Sequence, residues 1–289
     1  MRPWLPLPKE LEATIDTALA EDLGDGDITT DSLISPDLLS KGEIIAKEAG
    51  VAAGLPVAEL VFQRVDSRIS FEGKVPEGAR VKAGDVLALV EGPAASILKG
   101  ERVALNFLQR LSGTATITAR YVEAVAELPA RILDTRKTTP GLRSLEKYAV
   151  RVGGGFNHRR NLGDGILVKD NHLAAAAEMG LSMKEVVARL RRNAPHTLKV
   201  QIEVTSPEQA LEALEAGADA LLLDNMAVEA MRQVVQEVKG RIPLEASGGI
   251  TLSNVRAVAE TGVDLISAGA LTHSVKALDI SLELGYVSR

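Results

Sequence analysis

Leu198 to Asn225 reads LKVQIEVTSPEQALEALEAGADALLLDN, and this stretch decides the fold class. A short apolar run, LKVQIEV, is followed by a helical segment, SPEQALEALEAGA, and then by a second apolar run, DALLLD. Strand, helix, strand at this spacing predicts a right-handed βα unit and a parallel sheet. Reading outward, RILD (131–134), GILVK (165–169), PLEAS (243–247) and DLISAG (264–269) are runs of the same kind. AVEAMRQVVQEVKG and TLSNVRAVAETGV are the helical segments between them. Six or more such units, each ending its strand on a polar or glycine residue, suggest a barrel rather than an open sheet.

The N-terminal half has a different texture. Pro8 to Leu23 shows helical spacing (Leu11, Ile15, Leu19, Leu23) and stops at Gly24. EDLGDGDITTDSL then reads as a solvated turn, because its acids lack the spacing of a calcium loop. Lys41 to Val90 alternates short apolar runs with glycine turns and predicts antiparallel strands. VPEGARVKAGDVLALVEG looks like half of a lipoyl or biotinyl carrier hairpin, but no convincing modifiable lysine sits opposite, so a structural sheet is expected. Leu98 to Leu128 predicts one long helix, in which Gly113 marks a kink or a close approach. Ala277 to Tyr286 reads as a last strand that returns to the first sheet.

Composition narrows the class. The formal charge is −6, aromatic residues are 3% and cysteine is absent. The core must therefore be aliphatic, which suits buried parallel strands. Disulfides, thiolate zinc sites and cysteine nucleophiles are excluded, and secretion gains no support. No stretch approaches the roughly 20 apolar residues of a membrane span. The opening MRPWLPLPKELE lacks the apolar run of a signal peptide. A cytoplasmic protein that binds neither membrane nor nucleic acid is expected. Against this acidic background, Asp134 to Leu173 is a net-positive island punctuated by glycine. Such an island suggests a pocket for a small, strongly anionic substrate.

In a βα barrel the chemistry gathers at the C-terminal strand ends. Those ends present Asp134 with Arg136 and Lys137, then Lys169, Glu203, Asp224, Ser247-Gly248-Gly249 and Gly269. One mouth would hold cations on one side, two carboxylates on another, and two glycine turns. Asp224 is equally explained as a helix cap. The two glycine turns come from the last two strands, where many barrels bind phosphate. No G-x-S-x-G elbow, H-E-x-x-H pair, Walker loop or dinucleotide fingerprint occurs. What remains fits group transfer from a sugar phosphate bearing diphosphate, with carboxylates facing an oxocarbenium-like centre.

Several ordered strings carry a more specific resemblance. GERVALNFLQRLSGTAT, DTRKTTPGLR, GGGFNHRRNLGDGILVKDNH, IEV, LLLDN, EASGGI and SAGALTHS together resemble the quinolinate phosphoribosyltransferase family, from the EDLGDGDITT turn to Ser274. The resemblance implies an α/β fold: an N-terminal sandwich-like domain (1–112, its sheet joined by 275–289) and an incomplete (β/α) barrel (113–274). It implies transfer of phosphoribosyl from 5-phosphoribosyl 1-diphosphate to quinolinate, with decarboxylation and Mg²⁺, in a homodimer with shared active sites or a higher oligomer. Arg136, His158, Arg159 and Lys169 would surround the quinolinate carboxylates, with Arg102 entering from the neighbouring subunit. Lys137 and His273 would lie near the diphosphate, Glu203 and Asp224 on the ribose and metal side. Ser247, Gly248, Gly249 and Gly269 would bind the 5-phosphate, and Thr135, Ala268 and Ala270 complete the implied set. A sister family associated with molybdenum transport shares the barrel, but HRRNLGDGILVKDNH argues against it. Asn161, after Arg160, stands where a glycine is expected, and a left-handed backbone there would be tolerated by Asn.

Overall fold

The computed structural model describes Leu5 and residues 8–286. The first residues, on which the signal-peptide expectation rests, and the last three, within the expected domain ranges, lie outside the described set. In chain order the elements are α1 (Pro8–Leu23), α2 (Ile28–Leu33), β1 (Leu39–Ala46), β2 (Gly50–Val51), α3 (Leu55–Val65), β3 (Ser70–Gly73), β4 (Arg80–Val81), β5 (Val86–Pro93) and α4 (Ala94–Ala124). There follow β6 (Arg131–Leu133), α5 (Arg143–Val152), β7 (Ile166–Val168), α6 (Asp170–Glu178), α7 (Met183–Asn193), β8 (Val200–Val204), α8 (Pro207–Glu215), β9 (Ala220–Asp224) and α9 (Val228–Val238). The chain ends with β10 (Leu244–Ser247), α10 (Val255–Ala259), β11 (Leu265–Ser267), α11 (Ala270–His273) and β12 (Ile280–Tyr286). Two compact units result: Met1–Ala119 with Thr139–Gly154 and Ser274–Arg289, and Arg120–Thr138 with Gly155–His273.

The first unit is built on an antiparallel sheet ordered β12-β1-β5-β3. Along β1 the side chains alternate, so Ser40, Ile44 and Ala46 are buried while Lys41 and Glu43 are exposed. The last strand pairs with the first, Ser40 opposite Tyr286. Two short helices depart from the expected turns and strands. Within the acidic EDLGDGDITTDSL stretch, Asp27 accepts the Thr30 N–H at 2.9 Å and starts α2. Between β2 and β3, Gly54 in a left-handed turn (φ 102°) and a proline in the first turn start α3. Its Val57, Ala58, Val61 and Phe62 form one buried stripe of helical period, which a strand reading of the same apolar residues overlooks.

In α4, Gly113 serves close packing. A Cβ there would lie 2.3 Å from the Lys276 carbonyl oxygen, so only glycine lets the two backbones meet. Fully buried Glu146 on α5 is well satisfied. It accepts from Arg110 Nη2 (2.6 Å), the Thr139 hydroxyl (2.8 Å) and the Thr139 N–H (3.0 Å).

The second unit contains a parallel sheet ordered β6-β11-β10-β9-β8-β7. Chain order thus runs around a ring, and the seam lies between β6 and β7, which do not pair with each other. This is an incomplete (β/α) barrel. The seam is where the basic segment runs. Phe156 bridges alongside Leu133, its N–H donating to the Ile132 carbonyl at 2.8 Å. Arg131 stacks its guanidinium 5.1 Å from the centre of the Phe156 ring. Period two decides which residues face which layer. In β8, Val200, Ile202 and Val204 are buried, and Gln201 and Glu203 take the opposite face. Each buried aliphatic side chain contributes about 1.5–3 kcal/mol. Ser206 caps α8 and Pro207 opens it, which turns the chain sharply just beyond the functional end of β8. No helix among the described residues is long and apolar enough to cross a membrane.

Candidate active site

The C-terminal ends of β6 to β11 enclose a cavity of about 560 Å³. It is lined by Thr135, Arg136 and Lys137 after β6, His158 and Arg159 from the seam segment, and Lys169 after β7. Glu203 (β8), Asp224 (β9), Ser247-Gly248-Gly249 after β10, and Gly269, Ala270 and His273 after β11 complete the rim. Fourteen of the expected site residues therefore share one mouth.

The basic wall is held by a buried anchor. Asp134, with no exposed surface, ends β6. It accepts the His158 N–H at 2.8 Å and the Asn157 amide at 2.6 Å. This fixes the seam segment, so Arg159 enters the cavity beside Arg136. Arg159 also donates from Nη1 to the Gly165 carbonyl at 2.9 Å. Burial, and then the like charge of Arg136, pull the Arg159 pKa below the ordinary guanidinium value. Two half-buried guanidiniums pressed together favour a bound anion, which relieves both costs.

The acidic wall faces them. Glu203 Oε2 lies 3.5 Å from Lys169 Nζ. The Lys169 N–H donates to His172 Nδ1 at 3.0 Å, which holds the first turn of α6. Asp224 accepts from the Asn225 amide at 2.8 Å, and Asn225 itself is left-handed (φ 51°). Deeper lies Glu245, only 2% exposed. Its Oε2 accepts from Gln201 at 2.8 Å and stands 3.5 Å from His158 Nε2. Burial alone would raise its pKa; hydrogen bonding, first from His158 and then from Gln201, outweighs burial and lowers it.

The glycine turn after β10 is sterically required. At Gly248 (φ 85°) a Cβ would lie 2.3 Å from Asn225 Oδ1 and 2.8 Å from its backbone nitrogen. At Gly269 it would lie 2.9 Å from His273 Cδ2. Gly248→Ala should therefore cost more than the ~1–2 kcal/mol of placing an L-residue in a left-handed turn. Gly217 (φ 92°), with nothing within 4 Å, supplies the control, since Gly217→Ala adds only the backbone cost. Denaturant unfolding of the two variants checks this, and equal losses would refute the clash.

Two expected residues lie elsewhere. Arg102 is exposed on α4 in the first unit and does not line the cavity. Ala268 is buried behind the rim, its N–H donating to the Leu133 carbonyl at 3.0 Å. Arg160 is exposed and also outside the lining. At Asn161 the backbone is not left-handed; its side chain instead accepts the Gly163 N–H at 2.9 Å and closes the turn. Glu245 is the main residue that the strand-end rule overlooks. It precedes Ser247 by two, so period-two parity along β10 places both on the cavity face. The same parity brings in Leu167 below Lys169, Leu222 below Asp224, and Ser267 below Gly269.

Comparisons with known proteins agree with this architecture. Residues 27–112 match the family model for the quinolinate phosphoribosyl transferase N-terminal domain, and residues 114–283 match the C-terminal domain. A probable nicotinate-nucleotide pyrophosphorylase (carboxylating) from Bacillus subtilis is 43% identical over 275 residues, covering 95% of this chain and 93% of the relative. A protein of the same description from Synechocystis sp. is 43% identical, covering 98% and 94%. The crystal structure of NadC from Streptococcus pyogenes superposes with a TM-score of 0.93 at 42% identity, covering 98% of this chain and 99% of that one. The chain belongs to the quinolinate phosphoribosyltransferase family.

Proposed function

We infer that this chain transfers phosphoribosyl from 5-phosphoribosyl 1-diphosphate to quinolinate, releasing diphosphate and CO₂ and giving nicotinate mononucleotide, a step of NAD biosynthesis. The observation that carries this reading is one cavity with paired guanidiniums, opposed carboxylates and two glycine turns at the ends of six parallel strands. Quinolinate is a dianion, and an arginine fork binds a carboxylate in bidentate fashion. Arg136, Arg159 and Lys169 hold its two carboxylates and aim the ring nitrogen at the anomeric carbon. Ser247, Gly248, Gly249, Gly269 and Ala270 receive the 5-phosphate, while Lys137 and His273 face the diphosphate.

The nitrogen lone pair forms the new N–C bond as the bond to diphosphate breaks. Glu203 and Asp224 oppose the positive charge that develops on the ribose. Once ribosylated, the cationic nitrogen stabilises the electron pair left on the neighbouring ring carbon as its carboxylate departs as CO₂, and a proton then takes the vacated position. No protein nucleophile is needed, so positioning and electrostatics supply the rate.

Mg²⁺ fits the donor set as a substrate-borne ion. Glu203 and Asp224 are hard oxygen donors on adjacent strands of one cavity. The described residues contain no group of three His, Cys, Asp or Glu that would cage a metal. Magnesium commonly takes one or two carboxylates and fills its remaining positions with phosphate oxygens and water. Bound there, it would neutralise charge on the departing diphosphate. Two further elements belong to the same reading: a homodimer in which Arg102 serves the neighbouring cavity, and a cytoplasmic setting, which suits a chain without cysteine.

A product assay tests the reading. Nicotinate mononucleotide, CO₂ and diphosphate should form in equal amounts from quinolinate, and nicotinate should give no product in its place. Chelation should abolish turnover and added Mg²⁺ restore it. Binding of both substrates without turnover would leave only a carrier.

A further inference from the structure

We propose that Glu245 is a positioning residue for the quinolinate side of the cavity, acting as the hydrogen-bond acceptor that locks the His158 ring and, through it, Arg159. This rests on the reading of the cavity as a quinolinate site. A carboxylate here needs a reason. It is 2% exposed, it faces a pocket built for a dianion, and its charge opposes that ligand. An apolar residue would close the floor of the barrel without this penalty.

The His158 ring supplies the reason. Its Nδ1 accepts the Arg159 N–H at 2.8 Å, so Nδ1 carries no proton. The ring proton is therefore on Nε2, which faces Glu245 Oε2 at 3.5 Å. The His158 N–H is tied to Asp134 at 2.8 Å. The residue is thus a spacer held at both ring nitrogens and at its backbone. Arg159 follows directly, with its own amide as one of those ties. Gln201 Nε2 at 2.8 Å keeps Glu245 Oε2 in place from the neighbouring wall. In this arrangement the value of Glu245 lies in its acceptor oxygen and not in its charge.

Two substitutions separate the alternatives, because loss of positioning and loss of charge would move the quinolinate KM in opposite directions. Glu245→Leu removes acceptor and charge together. Loss of positioning should raise the quinolinate KM about tenfold or more, with the KM for phosphoribosyl diphosphate changed by less than about twofold. Were the charge alone important, its removal would tighten dianion binding and lower that KM. Glu245→Gln keeps an acceptor oxygen and should hold the quinolinate KM within about threefold of wild type. An unchanged or lowered KM in the leucine variant, or a glutamine variant as impaired as leucine, overturns the proposal. Should the leucine variant fail to fold, the glutamine variant and the ¹⁵N spectrum of the wild-type His158 ring decide. The spectrum should show the Nε2-protonated tautomer at neutral pH; Nδ1 protonation overturns the proposal. A wild-type protein that makes no nicotinate mononucleotide would count against the assigned reaction and leave the tautomer result standing.

Discussion

Arg136→Ala is expected to lower kcat/KM for quinolinate by at least about tenfold while leaving the fold intact. A charge-assisted hydrogen bond contributes ~1.5–3 kcal/mol, which corresponds to roughly 10–150-fold in kcat/KM. Arg136 stands at the functional end of β6, where Asp134 is fully buried and fixes the seam beside it. Arg136 also repels Arg159, whose pKa falls through burial first and this like charge second. Removing Arg136 relieves that repulsion in the empty enzyme. Thermal stability should therefore stay level or rise slightly, while catalysis falls. The opposite signs separate a binding residue from a structural one. Arg136→Lys should recover little, because an ammonium cannot reproduce the two-point grip of a guanidinium on a carboxylate. Near-normal steady-state kinetics for either variant, measured against quinolinate at saturating co-substrate, would contradict the assignment.

The legibility of this chain varied with the physics of each segment. Around Leu198 to Asn225 the strand and helix periods alternate cleanly, and β8, α8 and β9 stand where the reading puts them. The strand-end rule then locates Glu203, Asp224 and Ser247 without further information. In the first unit β-branched and aromatic residues suit both elements. Val57, Val61 and Phe62 suit a strand as readily as the buried stripe of α3, and only Gly54 and the following proline marked the helix start. The cavity floor was less visible for another reason. Glu245 lies inside an apolar run, where attention falls on the residues beyond the strand. Its parity with Ser247 was present in the sequence, but its partners Gln201 and His158 come from distant segments that only the folded barrel brings together. At Asn161 the reading supposed a left-handed backbone, whereas the side chain closes the turn by accepting the Gly163 N–H.

Arg102 supplies the other large effect, because its expected role crosses between subunits. It is exposed on α4 and does not line the cavity of its own chain. An exposed arginine usually contributes little, so Arg102→Ala should leave stability within about 0.5 kcal/mol of wild type. If it serves a neighbouring cavity, the same substitution should abolish most activity. Lys169→Ala should do so too, by removing the cation beside Glu203. The two inactive proteins, unfolded and refolded together, then make a sharp forecast. A mixed dimer has one cavity that lost both groups and one that kept both, since the two defects, one from each chain, fall in the same cavity. With random pairing, half the dimers are mixed, and half of their sites are whole, so about a quarter of wild-type activity should return. Neither variant refolded alone should gain any. If verified mixed dimers stay inactive, Arg102 acts within its own chain or not at all, and the shared site is excluded.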